Sequence, residues 1–390
     1  MDREFASGAS GSPPTHPASP SVGYPTSGNP GLAVPATKPG PWWYHMVTEE
    51  IRSVLVAAGI TPDGNNVTQL AAAIQALINS GAAGKRNYVQ NGDGRVAQRA
   101  STSYGAVNTP IYGQADRWLI GSAGATTQSA GNLVQGTLAG SASGLSIAAT
   151  GVTLTGAGST MTFKHRIEAK DVAGRLNGKT ITVQAKAYHD AGAPINWTAT
   201  VNRPTTTADT FSAVTQLGVS GNQSVPNTAL TQLSYTLALG AADADKGLEI
   251  VFTAACGAVT TKQFHIADVM LTEGATAQTY DLRPYQQELA MCQRYFEVGS
   301  SALYFPASGT GYCGIRQPYK VTKRATPTLT IIDGASNNNK ISIVTAGNGV
   351  LTNNTDFFDN GSSADEIAVA YIAGGTSWGV VYNFKSSAEL

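Results

Sequence analysis

The first residues to consider are those that could perform catalysis. The five histidines, His16, His45, His165, His189 and His265, are scattered, and none has the spacing of a zinc site. The chain contains neither a G-x-S-x-G nucleophile elbow nor a GxxxxGK[ST] phosphate loop. A glycosidase-type carboxylate pair comes from distant positions and leaves no local pattern, so that alternative stays open. We expect no enzyme activity, no catalytic residue and no cofactor.

A second feature is the acidic stretch "NNTDFFDNGSSADE" at 353–366. It gathers Asp356, Asp359, Asp365 and Glu366, whose oxygens are ligands that calcium prefers. Their spacing does not match a defined calcium loop. We therefore predict a solvated turn and no metal site.

Aromatic side chains could stack on sugar rings, because a pyranose face offers C–H groups to a π surface. The candidates are Trp197, Tyr188, Tyr304, Tyr312, Tyr319, Phe357, Phe358 and Trp378. Trp378 shares a strand face with Val380 and Tyr382, which favours a core position. Phe357 and Phe358 lie in a polar segment where both are hard to bury, although core or subunit contact is the alternative. The residues chosen as candidates for receptor binding are Phe357, Phe358, Asp359, Asn360 and Tyr312.

Composition excludes several classes of partner. The chain has 390 residues, 25 Lys+Arg against 25 Asp+Glu, and 13% charged residues, about half the usual share. Nucleic acids and anionic lipids need clustered Lys and Arg, so neither is expected. The N-terminus has no secretory-signal pattern, and the run "SVLVAAGI" is too short to insert in a membrane. Three cysteines without CxxC spacing favour folding in a reducing compartment such as the cytoplasm.

The first part of the chain divides into an arm and a helical hairpin. Residues 1–41 are rich in Pro, Gly and Ser and have no hydrophobic period, which is typical of an extended segment. Residues 42–84 predict two amphipathic helices. Val47 and Ile51 begin the first apolar stripe, and Val67, Leu70, Ile74 and Ile78 form the second. Such a hairpin is too small to be stable alone, so Trp42 and Trp43 are expected to pack on neighbours.

The rest of the chain is predicted to be β-rich. In residues 85–284, stretches such as "KTITVQAKAY" and "GLEIVFTAA" have the alternating or mostly apolar pattern of β-strands and are separated by turn residues. This pattern favours a jelly-roll β-sandwich. In residues 285–390, "TPTLTII", "KISIVTA", "DEIAVAYIA" and "SWGVVYNF" predict a smaller β-sandwich. Between them, Tyr285, Leu289, Cys292 and Phe296 have the spacing of a helical stripe, which predicts a connector helix or a short oligomer neck.

Three stretches resemble the fibre and receptor-binding proteins of tailed bacteriophages. These are "PATKPGPWWYHMVTEEIRSVLVAAGITPDGNNVTQLAAAIQAL" (35–77), "NYVQNGDGRVAQRAS" running on to "YGQADRWL", and "FHIADVMLTEGATAQTYDLRPYQQELAMCQRYFE" (264–297). The resemblance implies a homotrimeric virion component, with a jelly roll similar to carbohydrate-binding modules. It also implies attachment to a tail, baseplate or adaptor protein through residues 1–41 and contact with a host-surface glycan or protein through the C-terminal β-domains.

The predicted organisation has four parts. They are a tail-anchoring arm (1–41), a helical hairpin for trimerisation or docking (42–84), a jelly roll (85–284), and a connector helix with a distal β-domain (285–390). The residues expected to act in assembly are Trp42, Trp43, Val47, Ile51, Tyr285, Leu289 and Phe296. Two alternatives to a receptor-binding fibre remain: a purely structural virion appendage and a polysaccharide depolymerase.

Overall fold

The computed structural model describes residues 10–16, 18, 24–82, 86–100, 102–104, 110–124, 128–129, 131–304, 311–345, 351–373 and 377–390. The chain forms two units, Met1–Lys85 and Arg86–Leu390. The first unit is helical and the second is almost entirely β.

The first unit contains helices α1 (Pro41–Ala57) and α2 (Gln69–Ala82). Pro41 occupies the first helical position after Gly40, where its missing N–H costs nothing. After α1 the chain turns at Gly59, whose φ of 72° is a left-handed conformation that glycine adopts without steric cost. In the arm, Pro30–Leu32 form one 3₁₀ turn, and the ring of His16 lies 5.1 Å from that of Trp42. Part of the arm therefore contacts the start of α1.

The predicted apolar stripe of α2 is wrong. Val67 precedes the helix and is 95% exposed, Leu70 and Ile74 remain exposed, and Ala73 is the buried residue. The side chain of Ile78 lies outside the described residues. Gln69 is also buried, because its amide donates to the Thr61 carbonyl at 2.7 Å and accepts from the Asp63 N–H at 2.9 Å. Two helices alone cover only one narrow row of side chains, so the larger residues stay at the surface.

In the described residues, the second unit begins with a β-sandwich of fourteen strands and a short helix, α3 (Ala169–Val172). The strands are β1 (Thr102–Tyr104), β2 (Ile111–Tyr112), β3 (Trp118–Ala123), β4 (Gln128–Ser129), β5 (Gly131–Thr137), β6 (Leu145–Leu154), β7 (Thr160–Ile167), β8 (Thr180–His189), β9 (Ile195–Pro204), β10 (Val214–Val219), β11 (Gln223–Val225), β12 (Thr231–Ala238), β13 (Leu248–Ala254) and β14 (Val259–Glu273).

These strands form two antiparallel sheets. One has the order β1-β5-β6-β14-β8-β12 with β4 on β6, and the other has β10-β9-β13-β7-β3-β2 with β11 on β9. From β6 to β9, and again from β12 to β14, each strand lies in the other sheet from the strand before it, which gives the predicted jelly-roll β-sandwich. Both sheets contribute to one core, where Phe163 and Trp197 stack with ring centroids 6.0 Å apart. Trp118 and Trp197 are fully buried, so Trp197 is a core residue and not a sugar platform.

The predicted distal β-sandwich is present after helix α4 (Tyr285–Gln293). Its strands are β15 (Phe296–Tyr304), β16 (Gly311–Pro318), β17 (Thr328–Ile332), β18 (Ile341–Thr345), β19 (Leu351–Thr355), β20 (Phe358–Asp359), β21 (Glu366–Ala373) and β22 (Ser377–Ser387). A five-stranded sheet, β15-β22-β18-β19 with β17 on β22, faces a three-stranded sheet, β16-β21-β20. Residues of both sheets, such as Tyr371 and Tyr382, share a second core.

A buried ionic cluster joins the jelly roll to the distal sandwich. Glu389, just after β22, accepts from Arg99 at 2.7 Å and from Arg117, whose side chain is fully buried. Arg99 also donates to Asp116 at 2.9 Å, and burial raises the pKa of Asp116 to about 6 despite the opposing effect of Arg99. The guanidinium carbon of Arg99 lies 3.6 Å from the centroid of the Phe296 ring, and that of Arg117 lies 3.4 Å from the centroid of the Tyr295 ring. We call Arg99, Asp116, Arg117 and Glu389 the ionic clasp.

Hydrogen bonds to the backbone of Ala388 and Leu390 also attach the segment on either side of Glu389. The Leu390 carbonyl accepts from Tyr112 at 3.0 Å and from Arg166, both on the jelly roll. The Ala388 N–H donates to the Tyr295 carbonyl at 2.7 Å. The segment after β22 is therefore held by jelly-roll side chains that lie more than two hundred residues earlier in the sequence and by the backbone of Tyr295.

Candidate functional site

A polar groove with a volume of about 370 Å³ opens on the jelly-roll unit. One wall is the segment before β1, which contributes Arg86, Tyr88 and Gln90. Asp171 comes from α3. The opposite wall is the segment that leads into α4 and the helix itself, with Asp281, Leu282, Gln287 and Met291. The volume falls in the range of small-molecule sites.

Hydrogen bonds fix the first wall of the groove to β14. Asn87 accepts from the Val89 N–H at 3.0 Å and the Leu271 N–H at 3.2 Å, and donates to the Val269 carbonyl at 3.2 Å. The Val269 N–H in turn donates to the Gly92 carbonyl at 2.9 Å. A Cβ at position 92 would lie 2.1 Å from the Val269 oxygen, which explains the glycine there.

The second wall is fixed by Arg283 and Glu288. Arg283 donates to the Val89 carbonyl at 3.0 Å and pairs with Glu288 at 3.1 Å. Glu288 also accepts from the Asn91 N–H, so the first turn of α4 is tied to the jelly roll. The groove is thus built from two chain segments that are almost two hundred residues apart but are rigidly connected.

Gln90 is the unusual side chain of the groove. It is 4% exposed, and its Oε1 has no hydrogen-bond partner among the described residues. Nearby, the guanidinium of Arg86 lies 5.2 Å from the centroid of the Tyr88 ring. Burial raises the pKa of Tyr88 above its ordinary value, with the positive charge of Arg86 acting in the opposite direction. The groove is therefore lined by a neutral phenol, two guanidinium groups and two carboxylates.

The residues predicted from sequence to contact a receptor belong to the distal sandwich. They are different residues from those that line the groove. Phe358 and Asp359 are in a short strand and not in a turn as predicted, because β20 pairs with β21 through Phe358↔Ala370 and Asp359↔Val369. Gly314 of β16 pairs with the same Ala370, and Tyr312 lies two residues before it. The sheet register thus brings the strands of Tyr312 and Phe358 to opposite edges of β21.

Two further members of that set have specific contacts. The Asn360 N–H donates to the Ala368 carbonyl at 2.8 Å, and Asp359 accepts from the Ser362 N–H at 2.8 Å. Phe357 packs partly against the distal core, which is the alternative that the sequence left open. The side chains of Tyr312 and Phe358 lie outside the described residues, so their role in receptor binding stays a prediction.

The residues chosen for assembly fall into two groups. On α1, Trp43 is 40% exposed, while Trp42, Val47 and Ile51 are half-buried. On α4, Tyr285 is 47% exposed and Leu289 is half-buried. Their contacts with other chains stay predictions.

Phe296 does not belong to the predicted helical stripe. Helix α4 ends at Gln293, and Phe296 opens β15, where it is 6% exposed beneath Arg99. The buried residues of α4 are Glu288, Cys292 and Gln293. The spacing was misleading because a strand that starts three residues after a helix can continue its apolar pattern.

The surroundings of His265 lead us to expect that the free energy of unfolding depends on pH. Its Nδ1 lies 2.9 Å from Ser146 Oγ and its Nε2 lies 3.1 Å from Gln263 Oε1, an arrangement that a neutral ring satisfies. Burial lowers the pKa of His265 from 6.5 to about 4, although Asp190 acts in the opposite direction. Between these values the unfolded chain binds a proton that the folded chain does not, so stability is lost as pH falls.

The expected size follows from the shift in pKa. Between pH 7.5 and pH 4.5, His265 should remove roughly 2–3 kcal/mol from the free energy of unfolding. Urea unfolding of the wild type and of His265→Gln at both pH values measures this difference. An identical pH dependence in the two proteins would show that His265 is not responsible.

Comparisons with known proteins find similarity in structure only. No protein-family model and no curated protein sequence matches the chain. A structure described as "CBM4 structure and function" is 20% identical, with a TM-score of 0.28 over 44% of this chain and 97% of its own. A family 22 carbohydrate-binding module of Clostridium thermocellum is 13% identical, with a TM-score of 0.30 over 51% and 98%.

A third similar structure is the enzymatically active domain of bacteriophage CBA120 tailspike protein 4. It is 11% identical, with a TM-score of 0.26, and the match covers 48% of this chain but 21% of the tailspike chain. At such identities and TM-scores, these structures assign no function to this chain.

In the described residues, no group of three or more His, Cys, Asp or Glu side chains is placed to hold a metal ion. Within the same ranges, the structure contains no helix with the length and apolarity needed to cross a membrane.

Proposed function

We propose that this chain is a receptor-binding appendage of a bacteriophage tail that adsorbs to a host-surface glycan without cleaving it. Residues 1–41 would attach to the tail, the helical unit would join three copies, and the distal β-domain would meet the host. The proposal also places the protein in the virion after folding in the host cytoplasm. It rests on the sequence resemblance together with one structural contrast between the two units.

That contrast is the observation that carries the proposal. The β unit encloses two cores of its own, whereas the helical unit leaves large apolar side chains exposed. The exposed residues of the helical unit include Trp43, Tyr44, Met46, Val56, Val67, Leu70 and Ile74. Two short helices cannot bury enough surface to be stable alone, and we propose that these exposed apolar residues form an interaction surface.

Further copies of the same chain are the proposed occupants of this surface. Burial of each large apolar side chain contributes about 1.5–3 kcal/mol, so a few of them per subunit suffice for stable association. Three copies would present three receptor sites on one particle. Weak contacts with a repetitive glycan would then combine into strong retention.

Substitution of the exposed residues tests this assembly. The triple variant Trp43→Gln, Met46→Gln and Ile74→Gln should convert a trimer into a monomer, because each change replaces an apolar contact between subunits by a polar side chain. Light scattering coupled to size-exclusion chromatography measures the mass. As a matched control, Val214→Gln with Val219→Gln changes exposed apolar residues of β10 and should leave the trimer intact. A monomeric wild type would contradict the assembly proposal.

Binding to cells tests the receptor class. Fluorescent full-length protein is incubated with a panel of bacterial strains before and after treatment of the cells with periodate, which destroys vicinal diols, or with protease. We expect at least one strain to bind the protein, with binding lost after periodate and kept after protease. Binding that disappears only after protease would contradict a glycan receptor.

A further inference from the structure

The observation behind this inference is an exposed Asn–Gly pair at the end of β20. The sequence contains four such pairs, which begin at Asn91, Asn177, Asn348 and Asn360. Glycine has no Cβ, so its backbone nitrogen is unhindered when it approaches the side chain of the preceding asparagine. Each pair can therefore react with itself, and the surrounding structure decides which pair does so.

The pair at Asn360 is free to react. Asn360 and Gly361 are both exposed and lie in irregular backbone between β20 and β21. Among the described residues, no hydrogen bond holds the Asn360 side chain or the Gly361 N–H. Gly361 has a φ of 90°, and a Cβ built there would have no atom beyond its chain neighbours within 4 Å. The amide and the attacking nitrogen are therefore both unrestrained.

The pair at Asn177 is restrained by its neighbours. The Asn177 amide donates to Asp245 and accepts from the Ala244 N–H at 2.8 Å. The Gly178 N–H, which would be the attacking group, donates to the Gly240 carbonyl at 2.9 Å. Both groups that would have to react are thus engaged in hydrogen bonds.

The pair at Asn91 is held more firmly still. Asn91 is 0% exposed, and its amide donates to the Val96 carbonyl at 2.8 Å and to the Asp116 carbonyl at 2.9 Å. It also accepts from the Val96 N–H at 2.9 Å. Reaction there requires local unfolding, whose free energy adds to the barrier. Asn348 lies outside the described residues.

We propose that Asn360 is a site of spontaneous deamidation, a covalent modification that needs no enzyme. The backbone nitrogen of Gly361 loses its proton and attacks Cγ of Asn360. The new C–N bond closes a succinimide ring, the Cγ–Nδ2 bond breaks, and the amide nitrogen leaves with the proton as ammonia. Water then opens the ring at either carbonyl, which yields aspartate or isoaspartate at position 360.

The product changes the charge and the length of this loop. A new carboxylate stands next to Asp359, which accepts from the Ser362 N–H at 2.8 Å, and like charges repel. Isoaspartate also adds one carbon to the backbone directly after the N–H that donates to Ala368. Asp359 and Asn360 belong to the residues predicted to contact a receptor. An effect on adsorption therefore rests on the proposed function, whereas the reaction itself does not.

The test follows deamidation in the full-length protein at mildly alkaline pH, both folded and unfolded in guanidinium chloride. Peptide mapping with fragmentation mass spectrometry locates each change from amide to acid, and protein isoaspartyl methyltransferase labels isoaspartate. In the unfolded chain, the four Asn–Gly pairs should react at similar rates. In the folded protein, Asn360 should keep nearly its unfolded rate, while Asn177 reacts several-fold more slowly and Asn91 at least about tenfold more slowly.

Asn360→Gln is the matched variant. Glutamine keeps the amide, but its attack by the Gly361 nitrogen would have to close a larger ring, which forms far more slowly. Modification at position 360 should therefore disappear, while Asn177 keeps its wild-type rate. Because position 360 is exposed, the unfolding midpoint should not change.

Two results would overturn the assignment. One is an Asn360 that reacts no faster than Asn177 in the folded protein, and the other is an Asn360 that stays intact when folded but reacts when unfolded. Failure of the protein to bind cells would instead count against the proposed receptor function. The two outcomes are therefore distinguishable.

Discussion

Replacement of Glu389 by Gln should lower the free energy of unfolding by about 3–5 kcal/mol. The glutamine keeps the shape of the side chain but removes the charge that faces Arg117 and Arg99. Arg99 retains Asp116 as a partner, whereas Arg117 has a fully buried side chain and loses its only carboxylate within the ionic clasp. A buried charge without a counter-charge is the most costly outcome of such a substitution.

Urea unfolding at neutral pH measures the effect, and Glu273→Gln is its control. Glu273 pairs with Lys179 at 3.4 Å, but both side chains are about half exposed, so that substitution should cost less than about 1 kcal/mol. Hydrogen exchange should also show loss of protection at Ala388, whose N–H is bonded to Tyr295. Equal stability of the two variants would mean that the ionic clasp does not hold the two sandwiches together.

Replacement of Lys323 by Met is the second substitution that we expect to lower the free energy of unfolding strongly. Lys323 donates to Glu297 and to the Gln293 carbonyl, and the side chains of Lys323 and Glu297 are 0% and 1% exposed. Burial lowers the pKa of Lys323, with Glu297 acting in the opposite direction. Without the ammonium, the Glu297 carboxylate is left buried beside the distal core. We expect a loss of about 3–5 kcal/mol.

The double variant Glu297→Met with Lys323→Met shows whether the charge is the cause. Removal of both partners leaves no buried charge, so most of the lost stability should return. A double-mutant cycle from four urea unfolding curves gives the coupling between the two residues. If the double variant is as unstable as Lys323→Met, the cost comes from packing and the ionic explanation is wrong.

The β architecture could be predicted from sequence because its signals are local. The apolar residues of "KTITVQAKAY", Ile181, Val183, Ala185 and Ala187, are all fully buried on β8. The strand that carries Val380, Tyr382 and Phe384 also contributes the predicted core face. Alternation with a period of two identifies such faces without knowledge of the partner strand.

The groove and the ionic clasp could not be predicted, because their residues meet only in the folded chain. Arg99 and Glu389 are 290 positions apart, and Arg283 and Val89 are 194 apart. Gln90 resembles any polar residue in the sequence "NYVQNGDG", since its missing partner is visible only in three dimensions. The error at Phe296 has the same origin, because β22 pairs with Phe296 through Ser387, ninety-one residues away.

Binding without cleavage is the central claim, and one measurement tests it most directly. Surface polysaccharide is purified from a strain that retains the protein and is immobilised. The full-length chain is then bound to it, and reducing ends are assayed in the same wells. We predict slow dissociation of a trimeric protein and no increase in reducing ends. Accumulation of reducing ends would identify a depolymerase, and absence of retention would contradict glycan adsorption.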